Sequence, residues 1–496
     1  MSKFPYEEVK VYDEQKLANA VKRCKERNII VPTFAQMKDP TKVPDKIKKR
    51  LKGHGLWDLE SLNLFRITWK NDMETGTFGG VNFMELPKEL TGVDARIIGI
   101  IGKYFPTGAH KVGATFGCLA PRLVTGQFDP TEQKAVWPST GNFCRGGAYD
   151  AYLLACDSVA ILPEEMSRER FEWLDKIGAE VFATPGCESN VKEIFDKCWE
   201  LRKERGDGIV IFNQFEEFGN ALWHYEMTGS ALEEVFNQVK DKRSRFFGYT
   251  SATGSAGTIA AGEYLKKVFP TMKIAASEAL QCPTLLINGF GGHRIEGIGD
   301  KHVPFVHNTR NTDFVVAIDD ADCMNTIRLF NEPAGRNYLK EVGVDPKVVD
   351  KLDLLGISGI SNVLTAIKLA KYNECTKDDI IFTVFTDSME LYGSRLKELE
   401  EEMGPYTSHQ AAMDHNLHIK NLHIDNMLEC GYRDRKRIHN LKYFTWIEQQ
   451  GRELDELNAQ WYDHVDYWEE RLCIADKYDE LINQFNDKVG LLAELD

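Results

Sequence analysis

Residues 104–117 read YFPTGAHKVGATFG, and the apolar, β-branched run ARIIGII at 95–101 stands just before them. A strand signal, a glycine-containing turn and then small residues at helical spacing predict a strand–loop–helix unit whose helix runs on to Leu123. Lys111 lies at the turn itself. In open sheets built from such units, ligands sit beyond the carboxyl ends of the strands. Lys111 is therefore expected to face a ligand crevice, with Gly108, Ala109 and Gly113 leaving room beside it. A single lysine at a helix start is most simply read as a solvated residue, so Lys111 stands out only with the rest of the chain.

The same texture extends from about residue 95 to 400. Short apolar runs at 134–137, 158–162, 181–184, 208–212, 246–250, 273–276, 314–318 and 380–385 are separated by stretches of helical period such as 168–177 and 191–203. This alternation predicts an α/β fold with twisted, mostly parallel sheets flanked by helices. Residues 1–74 are polar and helical in pattern, like a layer wrapped on something larger. Beyond Gly404 and Pro405 the chain is rich in Trp, Tyr, His and acid and carries no strand-like run. There Leu454, Leu457, Trp461, Val465, Trp468 and Leu472 recur at threes and fours, which predicts a helical extension. Trp461, Tyr462, Tyr467 and Trp468 make it too aromatic to leave in water, so it must pack on the core or across a subunit interface.

Composition narrows the function classes. Over 496 residues, 61 Lys+Arg stand against 76 Asp+Glu, a net charge of −15. Such a field disfavours sequence-blind binding to nucleic acid or an anionic membrane. No apolar run approaches the ~20 residues that span a bilayer, and the amino end MSKFPYEEVK has no signal core. Eleven cysteines without a C-x-x-C pair make a poor disulfide framework and predict a thiol-reduced, cytoplasmic protein. Asp319, Asp320 and Asp322 read as a solvated acidic turn. His415, His418 and His423 read as surface residues, since none has a metal-binding spacing. No metal is expected.

Two further loops carry chemistry. In WPSTGNFCRGGA at 137–148, Ser139, Thr140 and Asn142 place hydroxyls and an amide at a helix amino end. That is a ready carboxylate site, or a plain N-cap. In TSATGSAGTIAAG at 250–262, successive small residues let backbone amides converge on a phosphate. It matches neither G-x-G-x-x-G nor the GK[ST] loop. IEGIGD at 295–300 and LGISGISN at 355–362 are each compatible with a turn.

Taken in order, these segments resemble the fold-type II pyridoxal-phosphate enzymes of the tryptophan synthase β superfamily, and most of all the cysteine synthase and cystathionine β-synthase branch. The resemblance covers about residues 75–395. It rests on Lys111, the T-S-G-N-type loop at 139–142, the G-T-G-G-T-type loop at 254–258, QFEEFGNALWHYEMTG at 214–229, IEGIG at 295–299 and GIS at 356–358. It implies pyridoxal 5'-phosphate as cofactor, bound to Lys111 as a Schiff base, with Lys111 later acting as the proton-transferring base. The phosphate would go to Gly254, Ser255, Ala256, Gly257 and Thr258. Asn142 would meet the ring hydroxyl, and Ser139, Thr140, Asn142 and Gln214 the substrate. Ser358 would face the pyridine nitrogen, where a hydroxyl does not force protonation.

The implied activity is elimination or replacement at the β-carbon of a small amino acid through an aminoacrylate. γ-Replacement as in threonine synthase, ammonia loss, cleavage at Cβ and a non-catalytic relative remain as alternatives. The implied organisation is a large cofactor domain at 75–115 and 225–403, a small mobile substrate domain at 116–224, and helical extensions at 1–74 and 404–496. A homodimer is expected, with a separate protein partner on the C-terminal helices as the other use of the tail. The chain also departs from the family. Val112 and Gly113 stand where cysteine synthase has D-R, and the preceding Gly108-Ala109-His110 is similar to tryptophan synthase β. Phe143 replaces a threonine and Ala256 a glycine. Asp387, in FTDSME at 385–390, rivals Ser358 as the nitrogen's partner.

Overall fold

A computed structural model describes Phe4 and residues 7–139, 141–187 and 189–494. Among these, the strands form two sheets. The larger has the order β1 (Phe83–Leu86), β2 (Arg96–Ile101), β10 (Asp379–Phe385), β7 (Arg245–Ala252), β8 (Lys273–Ala279), β9 (Phe314–Ile318) and β11 (Met427–Glu429). The smaller has the order β5 (Glu180–Thr184), β4 (Ser158–Pro163), β3 (Lys134–Pro138) and β6 (Ile209–Ile211). Inner pairings are parallel, as in Ile381 opposite Ile97, while β1 and β11 close the larger sheet antiparallel. Strands β9 and β10 are buried along their whole length, as expected of parallel strands with helices on both faces.

Each run expected as a strand is one. β1 and β11 are additions, and β11 corrects the expectation that nothing strand-like follows residue 404. Both are edge strands of four and three residues, too short to show an alternation of their own. The helix expected after Lys111 spans Lys111–Val124. It meets the helix Phe218–Trp223 backbone to backbone: a Cβ on Gly117 would lie 2.4 Å from the Gly219 carbonyl oxygen. Only glycine at both positions permits that approach.

The amino-terminal layer contains the helices Glu14–Glu26, Phe34–Lys38 and Asp45–Leu51. Asp13 caps the first by accepting from the amides of Gln15 and Lys16. The layer reaches the interior, where Trp69 Nε1 donates to Thr228 Oγ1 at 3.0 Å. It is also tied to the tail, since Asn486 Oδ1 accepts from the Val31 amide and Asp479 from that of Phe34.

The tail packs on its own core. The apolar repeat expected as one stripe is split at Asp463 into the helices Leu454–Tyr462 and His464–Leu472. The break shifts its phase, so Leu457, Trp461, Trp468 and Leu472 are buried while Leu454 and Val465 face solvent. Lys442 anchors this region. Its buried Nζ donates to the carbonyls of Phe305 (2.9 Å) and His307 (2.7 Å) and to Gln460 Oε1 (2.7 Å), using all three protons of an ammonium. The surface reading of the tail histidines fails at His415, which is buried with Nε2 against the Leu90 carbonyl. His418 is paired with Asp322 at 2.7 Å, and Asp319 caps the helix Asp320–Asn331. The acidic turn is therefore structural.

Deleting residues 406–496 is expected to give an aggregating product without cofactor, because it exposes the seats of Lys442, Trp446 and Trp468. Light scattering and absorbance check this. A folded, active core would mean that the tail serves an outside partner.

Candidate active site

A cleft lies at the carboxyl ends of strands from both sheets. Lys111 and His110 reach it from the turn after β2, Ser139 and Asn142 from the end of β3, and Gln214 from beyond β6. Gly254 and Ser255 follow β7, Thr386 follows β10, and Ser358 opens the helix Ile357–Tyr372. Of the residues singled out in the sequence, Lys111, Ser139, Asn142, Gln214, Gly254, Ser255 and Ser358 thus line one cleft. Ala256, Gly257 and Thr258 follow in the same loop but do not line the cleft. Thr140 lies outside the described residues.

The polar contacts fix the cleft side chains in relation to one another. Lys111 Nζ donates to Ser255 Oγ at 2.8 Å, and the same oxygen accepts from Asn220 Nδ2 at 3.1 Å. Asn220 Nδ2 also reaches the Gln214 carbonyl at 3.0 Å. Gln214 Nε2 donates to Ser139 Oγ at 3.0 Å, and the Gly141 amide donates to that hydroxyl at 3.2 Å. A chain of hydrogen bonds therefore runs from Lys111 through Ser255 and Asn220 to Gln214 and Ser139. On the opposite side Ser358 Oγ lies 2.5 Å from Thr386 Oγ1.

Asp387 does not line the cleft. It is wholly buried, and its Oδ2 accepts from Asn142 Nδ2 (2.5 Å) and Tyr392 OH (2.7 Å). Burial holds its carboxyl above the usual carboxylate range, against those hydrogen bonds. Asn142 is thus held by its amide nitrogen, while its buried Oδ1 has no hydrogen-bond partner.

His110 stands beside Lys111. Its Nδ1 meets the Thr386 carbonyl at 3.1 Å and Nε2 meets Thr258 Oγ1 at 3.0 Å. A carbonyl only accepts, so Nδ1 carries the ring's one proton and Nε2 accepts a hydrogen bond from the threonine hydroxyl. Burial, and then the charge of Lys111, hold this ring down to about 3, so it is neutral at pH 7. His224, with its ring 4.9 Å away, is held far below its ordinary value by burial as well. It opens the π-helical turn His224–Thr228, a local irregularity of the kind that recurs at functional sites. No imidazolium charge therefore adds to that of Lys111. His110, Asn220 and Thr386 stand in the quoted stretches of sequence, but nothing in their spacing gives them a role.

The chain is similar to proteins already known. A family model described as pyridoxal-phosphate dependent enzyme matches residues 104–336. Cysteine synthase of Staphylococcus aureus is 30% identical over 288 residues, which cover 58% of this chain and 84% of that protein. Cystathionine beta-synthase of Saccharomyces cerevisiae is 25% identical over 319 residues, covering 62% of this chain and 59% of that one. Among solved structures, cysteine synthase of Entamoeba histolytica superimposes with a TM-score of 0.56 at 20% identity, covering 68% of this chain and 94% of that chain. A hydrogen sulfide-producing enzyme of Fusobacterium nucleatum gives 0.54 at 24%, covering 70% and 95%. At these identities the structures share the fold.

The neutral His110 predicts a pH dependence. In the unfolded chain it titrates near 6.5 and in the fold near 3. Between those values the unfolded state binds more protons, so stability falls as pH drops through that window, by at most about 1.4 kcal/mol per unit from this residue. His110→Gln should flatten the fall of the urea midpoint between pH 6.5 and 5, relative to the unsubstituted protein. An unchanged slope would count against a neutral His110.

Proposed function

The chain belongs to the pyridoxal-phosphate-dependent enzyme family, and from that premise we propose that it eliminates or replaces the β-substituent of a small amino acid. The observation that carries this reading is the meeting in one cleft of Lys111, Ser255, Asn142, the Ser139–Gln214 pair and Ser358. The residues fit the cofactor. Asn142 Oδ1, buried and without a partner, suits a ring hydroxyl, and Ser358 supplies a hydroxyl for the pyridine nitrogen. The loop at 254–258 is the phosphate seat, with Gly254 and Ser255 on the cleft. When bound, pyridoxal phosphate supplies an aldehyde for amines and a conjugated ring that draws electrons from Cα.

This chain's residues do the rest. Lys111 supplies the amine that anchors the cofactor, and then takes and returns the proton at Cα, which requires its neutral form. Ser255 and Asn220 orient its Nζ. Ser139 and Gln214, with Thr140, take the substrate carboxylate. Ser358 is a milder partner for the nitrogen than a carboxylate, which favours loss of a β-substituent over exchange of amines. Asp387 instead positions Asn142. Residues 116–224, which carry β3 to β6, are the mobile substrate domain, and 75–115 with 225–403 the cofactor domain. All eleven cysteines are free thiols, which supports a cytoplasmic setting. Ile287, Phe290 and Phe444, exposed at 67%, 77% and 59%, support a homodimer, whose apolar contact would cover such side chains.

A panel of small amino acids, scored for pyruvate, ammonia and sulfide, tests the reaction. Release of a β-substituent supports it, and amine loss from a diamino acid alone would replace it. Lys111→Ala should abolish turnover and the cofactor trapped on the chain by borohydride. Trapped cofactor on another lysine peptide would overturn the assignment. Ser358→Asp should shift the visible absorption of the enzyme and slow loss of the β-substituent. Should Asp387→Asn do both while Ser358→Asp does neither, Asp387 would be the nitrogen's partner.

A further inference from the structure

Behind the turn at 139–142 lies a buried charged network that the proposed reaction does not use. Arg170, on the helix Arg168–Ile177, is 1% exposed. Its guanidinium packs on the backbone of the turn, and a Cβ on Gly141 would lie 2.1 Å from Arg170 Nη1. Arg170 Nη1 also lies 3.2 Å from Glu296 Oε2, and Nη2 donates to Tyr392 OH at 3.2 Å. Tyr392 OH donates in turn to the Asp387 oxygen that accepts from Asn142. Glu296, 3% exposed, is shared with Arg395, whose Nε donates to Oε1 at 2.5 Å.

One guanidinium thus touches the turn from behind and, through Glu296 and Tyr392, fixes it to the IEGIG loop and to the segment after β10. Arginine suits this task because its donors diverge in a plane and it stays charged when buried. A buried ion pair that loses one member leaves an uncompensated charge, so the arrangement resists displacement of either side.

We propose that Arg170 is a positioning residue for the substrate carboxylate: it sets the 139–142 turn against Glu296 and Tyr392, and so fixes the Ser139 hydroxyl in its receiving geometry. This rests on the reading that the turn and Gln214 bind that carboxylate. The ligand class follows from the same geometry. The site selects amino acids with a free α-carboxylate, and the corresponding amides gain nothing from Arg170.

The test compares an amino acid with its α-amide on the cofactor-loaded enzyme, titrated through the visible absorption to give dissociation constants, alongside KM and kcat. Arg170→Gln should raise the dissociation constant and KM of the acid by at least about tenfold, with the amide and kcat changed by less than about threefold. Arg170→Lys should recover part of the loss. Should Arg170→Gln not fold, Arg170→Lys and Tyr392→Phe decide by the same acid-to-amide ratio. Equal losses for acid and amide, or an unchanged acid, would overturn the proposal. An unsubstituted enzyme that fails to distinguish acid from amide would instead overturn the carboxylate site itself.

Discussion

Two helices touching through bare backbone set the dimensions of the site. Gly117 and Gly219 face each other so closely that a Cβ on either would lie within 2.4 Å of the other's carbonyl oxygen. Lys111 begins the first helix, six residues before this contact, about 9 Å along the axis at 1.5 Å per residue. Asn220 directly follows the contact in the second, and Gln214 stands just before that helix. The distance from Lys111 to Asn220 is therefore bounded by the closest approach that two backbones allow. A methyl group on either glycine would force the helices apart, and tightly packed interiors transmit such shifts rather than absorb them. The Lys111–Ser255–Asn220–Gln214 sequence of hydrogen bonds depends on that spacing.

Much of the fold is legible in the sequence. Strands β2 to β10 announce themselves as short apolar runs bounded by turns, most fully where helices bury both faces, as at β9 and β10. β1 and β11 are not legible, since an edge of three or four residues takes its shape from its neighbour and has too few positions to show a period. The tail repeat is legible as helical but not as broken, because the phase shift at Asp463 depends on the surface beneath it. In the site, Lys111 and the loops at 139–142 and 254–258 stand out as glycine-rich turns after strands. What cannot be read is the partnership between distant segments. That His110 joins Thr258 to Thr386, or that Asp387 holds Asn142, is a property of where the elements arrive in space.

Both extensions complete the interior. The amino-terminal layer delivers Trp69 to the π-helical turn behind His110, and the tail delivers Lys442 and Trp446 to the segment around residue 305. A buried ammonium is tolerated there because three oxygens replace the water it gives up, although burial pushes its pKa well down. These segments are outside the resemblance to cysteine synthase, yet they shape the environment of residues inside it.

The path of the tail has a mechanical consequence. Trp446 donates to the Val303 carbonyl on the side of the larger sheet. Within a few residues Gln450 accepts from Trp199 at 3.2 Å, and Arg452 pairs with Glu216 at 3.0 Å, on the side of the smaller one. One short length of chain is thus moored to both halves of the cleft. Any gaping of that cleft must either stretch this leash or release its outer moorings, so the width of the entrance is bounded by tether length as well as by the shape of the walls.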